Sequence, residues 1–506
     1  MKRLSVILIL VAGAFVFFSF LSKTDQEEDN SLVVFFDKNL QENSIISHEI
    51  ISRLENEGFS LSSHDFNIED ISSIIMSHPE ALFITNEPVD SKLYSMDKFD
   101  LFLVKVAVIR NSIEVGSING SRFDEAALKG MDTRFKVISY EDLDLGMKLL
   151  PVDGVFPSLY NVKHGNYPKI YRAHIYYKDN DILKKERYHD LRYHLGNWID
   201  RSFSIVAGGD IMLSRGSKKY MDKFGYRYPF AEIEQDVNKY DIAVANLESP
   251  LSTKGTPFTP FKGIYFRADP GVIDGLKFSG FDVLTLANNH ALDYGVEAIS
   301  ETMTLLKENG IRYTGVGRSR NEALSPAVVR IHGTDVAFIS CNGIYPFSVN
   351  ESGQTMQTLA IRGESLSNEI ESLKERYDVV IVSVHTGVEY LRHPEQDKVM
   401  LMRKLVDCGA DVVLGSHPHV IQDIEIYRGG IIAYSLGNLI FDQNWSEETS
   451  LGLLLEIAFI GRTPIYYHPE IIGIRKAQAR VLEKESLESV FTQFDSERSE
   501  YAYKQN

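Results

Sequence analysis

The sequence predicts an α/β chain: a layered α/β domain over residues 201–482, preceded by a smaller α/β domain and an apolar N-terminal segment. Three observations predict it. Strand-like and helix-like stretches alternate through the larger region, the rhythm of a layered sheet-and-helix domain. Five apolar strands each run into an acid, amide or imidazole: Ile205–Asp210, Asp241–Glu248, Phe281–His290, Val379–His385 and Val412–His419. Residues Leu4–Leu21 form a nearly unbroken apolar run behind Lys2 and Arg3.

Composition narrows the function. At 506 residues the chain can hold two or three domains, each with its own core. The formal charge of −17 excludes nucleic acid as a main partner, because phosphate backbones attract basic surfaces. A small anionic substrate is still admissible if a metal receives it. Cys341 and Cys408 adjoin apolar segments and read as buried small hydrophobes, with no disulfide framework.

The N-terminal run has the length needed to cross a bilayer, roughly 18 to 20 residues. With its basic flank it is expected to be a single-pass anchor in the cytoplasmic membrane that leaves the bulk extracytoplasmic, a cleaved signal peptide on a secreted chain being the competing reading. An acidic spacer closes this part at residue 31. Residues 32–200 read as a small α/β domain ending in a charged helical linker. Within it, Val152–Tyr177 resembles half of a periplasmic solute-binding domain, although Tyr160, His164 and Tyr167 read equally well as ordinary interface or surface side chains.

In the larger domain, Ala291–Asn309 and Glu395–Cys408 have helical spacing and stop at Gly310 and Gly409. Leu451–Ile460 and Thr463–Ile472 are strand-like, and residues 483–506 form a polar tail. The strand-end groups are Asp210, Glu248, Asn289, His290, His385, His417 and His419. In extended backbone His417 and His419, two apart, point the same way, toward one ligand or two neighbouring ones. Carboxylates, an amide oxygen and neutral imidazoles suit Zn, Mn or Fe. Six ligands and a spare histidine fit two divalent ions roughly 3.5 to 4 Å apart, with the spare histidine as general acid. Arg215, Lys262, Arg267, Arg312 and Arg392 are candidate anion contacts. No GxSxG elbow and no nucleotide-loop glycine spacing is present.

The strings GGDIMLSRG (208–216), ANLESPLS (245–252), LTLANNHALDYG (284–295), VSVHTGVEY (382–390), GADVVLGSHPHVIQ (409–422) and YSLGNLIFDQ (434–443) resemble the CapA family of capsule and poly-gamma-glutamate biosynthesis proteins, relatives of the calcineurin-like metallophosphoesterases. The resemblance implies a four-layered α/β/β/α sandwich and a two-metal centre. Asp210 would ligate the first ion and Glu248 would bridge. Asn289, His385 and His417 would hold the second ion, His419 would return to the first, and His290 would be the acid. Many metallophosphoesterases carry Asp-x-His where this chain has Asp210-Ile211-Met212, so one imidazole is missing from the first site.

Three functions are therefore expected to compete. One is an exported factor of capsule or poly-gamma-glutamate synthesis with a dinuclear hydrolase centre, working with an anionic polymer and a polymer-synthesis complex. The second is a phosphoesterase acting on a cell-surface or nucleotide-like phosphoester. The third is a non-catalytic scaffold for polymer assembly.

Overall fold

The computed structural model describes residues 135–177 and 198–482 apart from 259–261, 352 and 362, together with short segments between residues 7 and 127. The linker expected at 179–199 lies almost wholly outside the described residues, and the tail at 483–506 wholly so. The chain divides into two compact units, Met1–Leu101 with Arg172–Gly196, and Phe102–Tyr171 with Asn197–Asn506. In the first unit, Ser31–Asp37 pairs in parallel with both Ser60–Phe66 and Leu82–Thr85.

The N-terminal expectation is corrected. Ile7–Val11 and Ala14–Phe18 are antiparallel strands in register from Ile7↔Phe18 to Val11↔Ala14. Among the described residues no helix is long and apolar enough to cross a membrane. A uniformly apolar run carries no periodicity to separate helix from strand, and this one is rich in the β-branched and aromatic residues that favour strands. The fold class is thus a multi-sheet α/β architecture without the expected transmembrane helix. The expected single-pass helix, and the membrane contact expected through it, are not found among the described residues.

The second unit carries two large sheets. The first has eight strands, with Arg312–Thr314, Val283–Thr285, Ile242–Leu247 and Ser202–Ile211 parallel and neighbouring, and Leu451–Ile460, Thr463–Arg475 and Gln478–Val481 extending it antiparallel. Its eighth strand, Asn438–Ile440, pairs alongside Asp210 and Ile211. The second sheet has six strands, its middle formed by Thr334–Asn342, Val379–His385, Val412–Ser416 and Gly430–Ala433 in parallel.

Period-two alternation lets each strand serve two cores. Phe203, Ile205 and Ala207 face inward with Ile242 and Val244 and meet Phe338, Ile381, Val412 and Leu414 of the second sheet in one core. Val206, Ala243 and Ala245 face outward and are covered by Met221, Leu276, Ile299 and Met303 from three helices. On the far side, Ile339, Val380, Val382 and Val413 are covered by Leu366, Ile370, Met402 and Leu405. Strands buried on both faces read as continuous apolar runs such as VVIVSV. The covering helices run Gly295–Glu308 and Gln396–Asp407, inside the stretches whose spacing predicts them. Both cysteines are buried and free.

Residues 102–171 of this unit build a further core, in which Val106, Leu149, Val152, Leu159 and Tyr167 pack with Trp198 and Tyr466. The Leu159 amide donates to the Tyr466 hydroxyl at 2.6 Å, and Lys163 Nζ donates to the Ser202 carbonyl. Tyr167 is therefore a core residue, and Tyr160 stacks on His164 with ring centroids 4.1 Å apart.

Candidate metal centre

Parallel strands leave their carboxyl ends on one edge, where open α/β sheets keep their ligands. Both sheets do so here. Asp210 is the last residue but one of its strand, Glu248 follows Leu247, and Asn288, Asn289 and His290 follow Thr285. From the second sheet, His385 ends its strand, and His417 and His419 follow Ser416. Two glycines permit the close approach. A Cβ on Gly209 would lie 2.1 Å from the Gly437 carbonyl oxygen, and one on Gly415 would lie 1.8 Å from that of Tyr434.

The two histidines of the HPH string are not in extended backbone. The strand stops at Ser416, and His417 and His419 take φ values of +95° and +59°. Non-glycine residues in this region store strain of order 1–3 kcal/mol each, and such strain gathers at functional sites. The turn separates the rings, whose centroids are 6.0 Å apart and tilted by 51°. Each histidine therefore joins one ligand set that the other does not, and the two share a third.

One set is Asp210, Glu248 and His419, another is Glu248, His385 and His417, and a third is Glu389, His417 and His419. In each, one ligand atom per residue lies within 4.8 Å of the others. Glu248 belongs to two of them, His417 and His419 to two each. The carboxylate of Glu248 is fully buried, and neither oxygen has a hydrogen-bond partner among the described residues; nor has His417 Nδ1. Buried polar groups are normally paired, so two bare carboxylate oxygens and a bare imidazole nitrogen fit a site built for cations.

The surrounding bonds orient the ligands, as outer-shell partners of metal sites do. Asn246 Nδ2 donates to Asp210 Oδ1 at 2.8 Å, and the His417 amide donates to Asp210 Oδ2. His385 Nδ1 lies 2.9 Å from Ser416 Oγ, and its Nε2 lies 2.8 Å from Asn289 Oδ1. His419 Nδ1 lies 3.0 Å from Asn438 Oδ1.

Without a cation the electrostatics differ from ligand to ligand. Burial and the nearby Asp210 carboxylate push Glu248 well above the usual carboxylate range. Burial pulls His385 well down and His417 to about 3, leaving the neutral imidazoles that metals require. Burial also pulls on His419, but Glu248 and Asp210 outweigh it and raise this ring to about 9. A buried pair of acids draws positive charge to that corner.

His290 stands beside these sets. Its Nε2 is 4.0 Å from Glu248 Oε1, its Nδ1 is 2.7 Å from Asp293 Oδ2, and Phe266 stacks on its ring at 3.7 Å. All seven groups named from the sequence therefore converge on one edge. Glu389, Asn246, Asn438 and Asp293 were not singled out by their sequence context, although each lies in or beside one of the strings quoted above. Four of the five candidate anion contacts are engaged internally: Arg215 pairs with Asp442, Lys262 with Asp293 and Arg392 with Glu448, and Arg267 donates to the carbonyls of Lys254 and Gly255. Met212 explains itself locally. Its sulfur accepts from the Ser214 amide and hydroxyl at 3.2 and 3.0 Å, and it packs in a small core with Phe266 and Phe441.

Two facing sheets that bring acids and imidazoles into overlapping sets define an α/β protein with a candidate dinuclear metal centre, consistent with a metallophosphoesterase-like relationship. The model of the family described as "Bacterial capsule synthesis protein PGA_cap" matches residues 204–443. The chain is 31% identical over 261 residues to the capsule biosynthesis protein CapA of Bacillus anthracis, covering 50% of this chain and 64% of that one. It is 30% identical over 256 residues to the PGA biosynthesis protein CapA of Bacillus subtilis, covering 50% of this chain and 67% of the relative. The chain belongs to the CapA/PGA_cap family.

Proposed function

We propose that this chain is a metal-dependent phosphoester hydrolase. The observation that carries the reading is the bare, buried Glu248 carboxylate shared by two ligand sets. Asp210, Glu248 and His419 would hold one divalent ion; Glu248, His385, His417 and the Asn289 oxygen would hold the other, with Mn, Zn or Fe as fitting ions. A bound pair of this kind supplies a water nucleophile at neutral pH and charge stabilisation for in-line displacement at phosphorus.

The protein's own part is to move a proton and hold a geometry. Asp293 accepts from His290 Nδ1 and so leaves Nε2 facing the ligand sets, where it can give a proton to the leaving oxygen. Burial lowers this ring to about 4 in the absence of ligand. An incoming phosphoester brings negative charge to Nε2, which favours the protonated form.

The test is metal analysis of the purified protein beside its His417→Ala variant, followed by hydrolysis of a generic phosphodiester. Near two equivalents of metal in the parent, reduced in the variant together with turnover, support the reading. Absence of bound metal after reconstitution with Mn or Zn refutes it.

A second reading comes from the relatives, which are described as capsule and PGA biosynthesis proteins. On that reading the centre serves capsule or poly-gamma-glutamate synthesis. Release of product from poly-gamma-glutamate, in the same samples and without phosphodiester turnover, selects it.

A further inference from the structure

At the mouth of the metal centre two aromatic side chains stand in solvent. Tyr390 is 42% and Trp445 60% exposed, and their rings meet edge to face at 5.9 Å and 80°. Tyr390 lies 6.3 Å, ring to ring, from the ligand candidate His419. Large aromatic surface is normally buried, so an exposed pair beside a reaction centre calls for an occupant.

The pair is held in place. Tyr390 takes a φ of +67°, a conformation that is a genuine outlier for a bulky residue. Its amide donates to the carbonyl of Pro418, the residue between the two ligand histidines, at 2.8 Å. Gln443 Nε2 donates to its hydroxyl at 3.3 Å; Gln443 Oε1 accepts from Asn438, whose own oxygen meets His419. The platform and the ligand His419 thus share one hydrogen-bonded frame. An aromatic surface fixed in this way loses little side-chain entropy on binding.

We propose that Tyr390 and Trp445 form the subsite for a nucleobase, so that the substrate of the centre is a nucleotide-type phosphoester. This inference rests on the phosphoesterase reading above. An edge-to-face pair leaves an indole face open for a planar ring. The exposed Asn444 beside it offers the joint amide donor and acceptor that match a base edge. Of the charges that act on Tyr390, Glu389 outweighs the cation Arg215, which disfavours a carboxylate-bearing polymer at this position. A neutral base is compatible with them, while its phosphate goes to the cation site.

Trp445 reports on its own occupancy, because the only other tryptophan, Trp198, is buried. The metal-loaded protein is titrated with adenosine and with adenosine 5′-monophosphate while tryptophan emission is followed, beside the Trp445→Leu variant. Saturable quenching by both ligands, absent in the variant, is expected. Selectivity, taken as kcat/KM for adenosine 5′-monophosphate over glycerol phosphate, is expected to fall about five- to 150-fold in the variant, the usual range for losing one base–aromatic stack. No quenching by either ligand in a protein that hydrolyses a generic phosphodiester overturns the subsite and leaves the hydrolase reading intact. An equal response to a neutral hexose also overturns it. Quenching without turnover of any phosphoester sinks the hydrolase reading and retains the base platform.

Discussion

Asp293 Oδ2 lies 2.7 Å from His290 Nδ1, three residues apart in one turn of chain. Two further contacts fix the carboxylate, from the Phe266 amide at 2.7 Å and from Lys262 Nζ at 2.5 Å. Lys262 also donates to the Asn289 carbonyl at 2.6 Å. The imidazole is therefore clamped at one nitrogen and free at the other, which faces Glu248. An acid that orients the tautomer of a proton-carrying histidine is worth far more than its own charge suggests.

Asp293→Asn is expected to lower kcat by about 10²- to 10⁴-fold with little change in KM, the range found for losing a positioned proton donor. Bound metal should be unchanged, since Asp293 belongs to none of the ligand sets. Steady-state kinetics with metal analysis of the same sample decides. If metal and kcat fall together, the residue is a structural support of the centre.

Glu248 sets stability against function. A buried carboxylate without hydrogen-bond partners among the described residues costs free energy, of order 1–3 kcal/mol for an unsatisfied group. Glu248→Gln should therefore raise the stability of the metal-free protein by about that amount, while cutting metal stoichiometry below that of the parent. Urea denaturation with and without Mn or Zn measures both effects. A variant less stable than the parent in the presence of chelator contradicts the assignment of Glu248 as a group without hydrogen bonds awaiting cations.

Much of this centre was legible in the sequence because its chemistry sits at strand ends. Apolar runs such as IVAGGD and VVIVSVH announce both a buried strand and the polar residue at its mouth. What was not legible depended on backbone turns and on the partner sheet. His417 and His419 read as two side chains on one face of a strand, but the chain leaves the strand at Ser416 with positive φ at both, and besides the set they share each joins one without the other. Glu389 joins His417 and His419 only because its loop crosses to Pro418, a contact between segments some thirty residues apart that no local pattern encodes. The apolar residues 7–18 failed in the other direction: their uniform hydrophobicity fits a spanning helix or a paired hairpin equally, and the strands form.

Met212 tests whether the first ligand set is incomplete. The side chain occupies the apolar pocket of Phe266 and Phe441, and its sulfur is engaged by Ser214. Met212→His is expected to add an imidazole to Asp210, Glu248 and His419, bringing four protein ligands to the set, and to raise metal affinity at least tenfold. The cost is about 1–3 kcal/mol of metal-free stability, from placing a polar ring in that pocket. Isothermal titration with Zn or Mn shows the gain; unchanged affinity means that the residue at 212 stays turned toward the phenylalanines.

Away from the centre, Glu456 gives the fold a pH dependence of predictable sign. It lies on the antiparallel strand Leu451–Ile460 at 1% exposure, accepts from the Tyr466 hydroxyl through Oε1, and has no partner for Oε2 among the described residues. Burial raises its pKa from 4.5 to about 7 despite the Tyr466 hydrogen bond. Because the folded pKa lies above the unfolded one, the native state binds more protons between these values. Stability from this group is therefore complete below about pH 4.5 and is lost as pH rises through about 7. The full loss is about 3 kcal/mol, since each tenfold change in proton affinity is worth roughly 1.4 kcal/mol. Glu456→Gln retains an oxygen for the Tyr466 hydroxyl and removes the titration. The variant is expected to match the parent near pH 4 and to exceed it by up to about 3 kcal/mol near pH 8. Urea denaturation of both proteins across that range isolates the group, since every other titrating side chain cancels in the difference. A difference that does not change with pH means that Glu456 keeps one protonation state throughout.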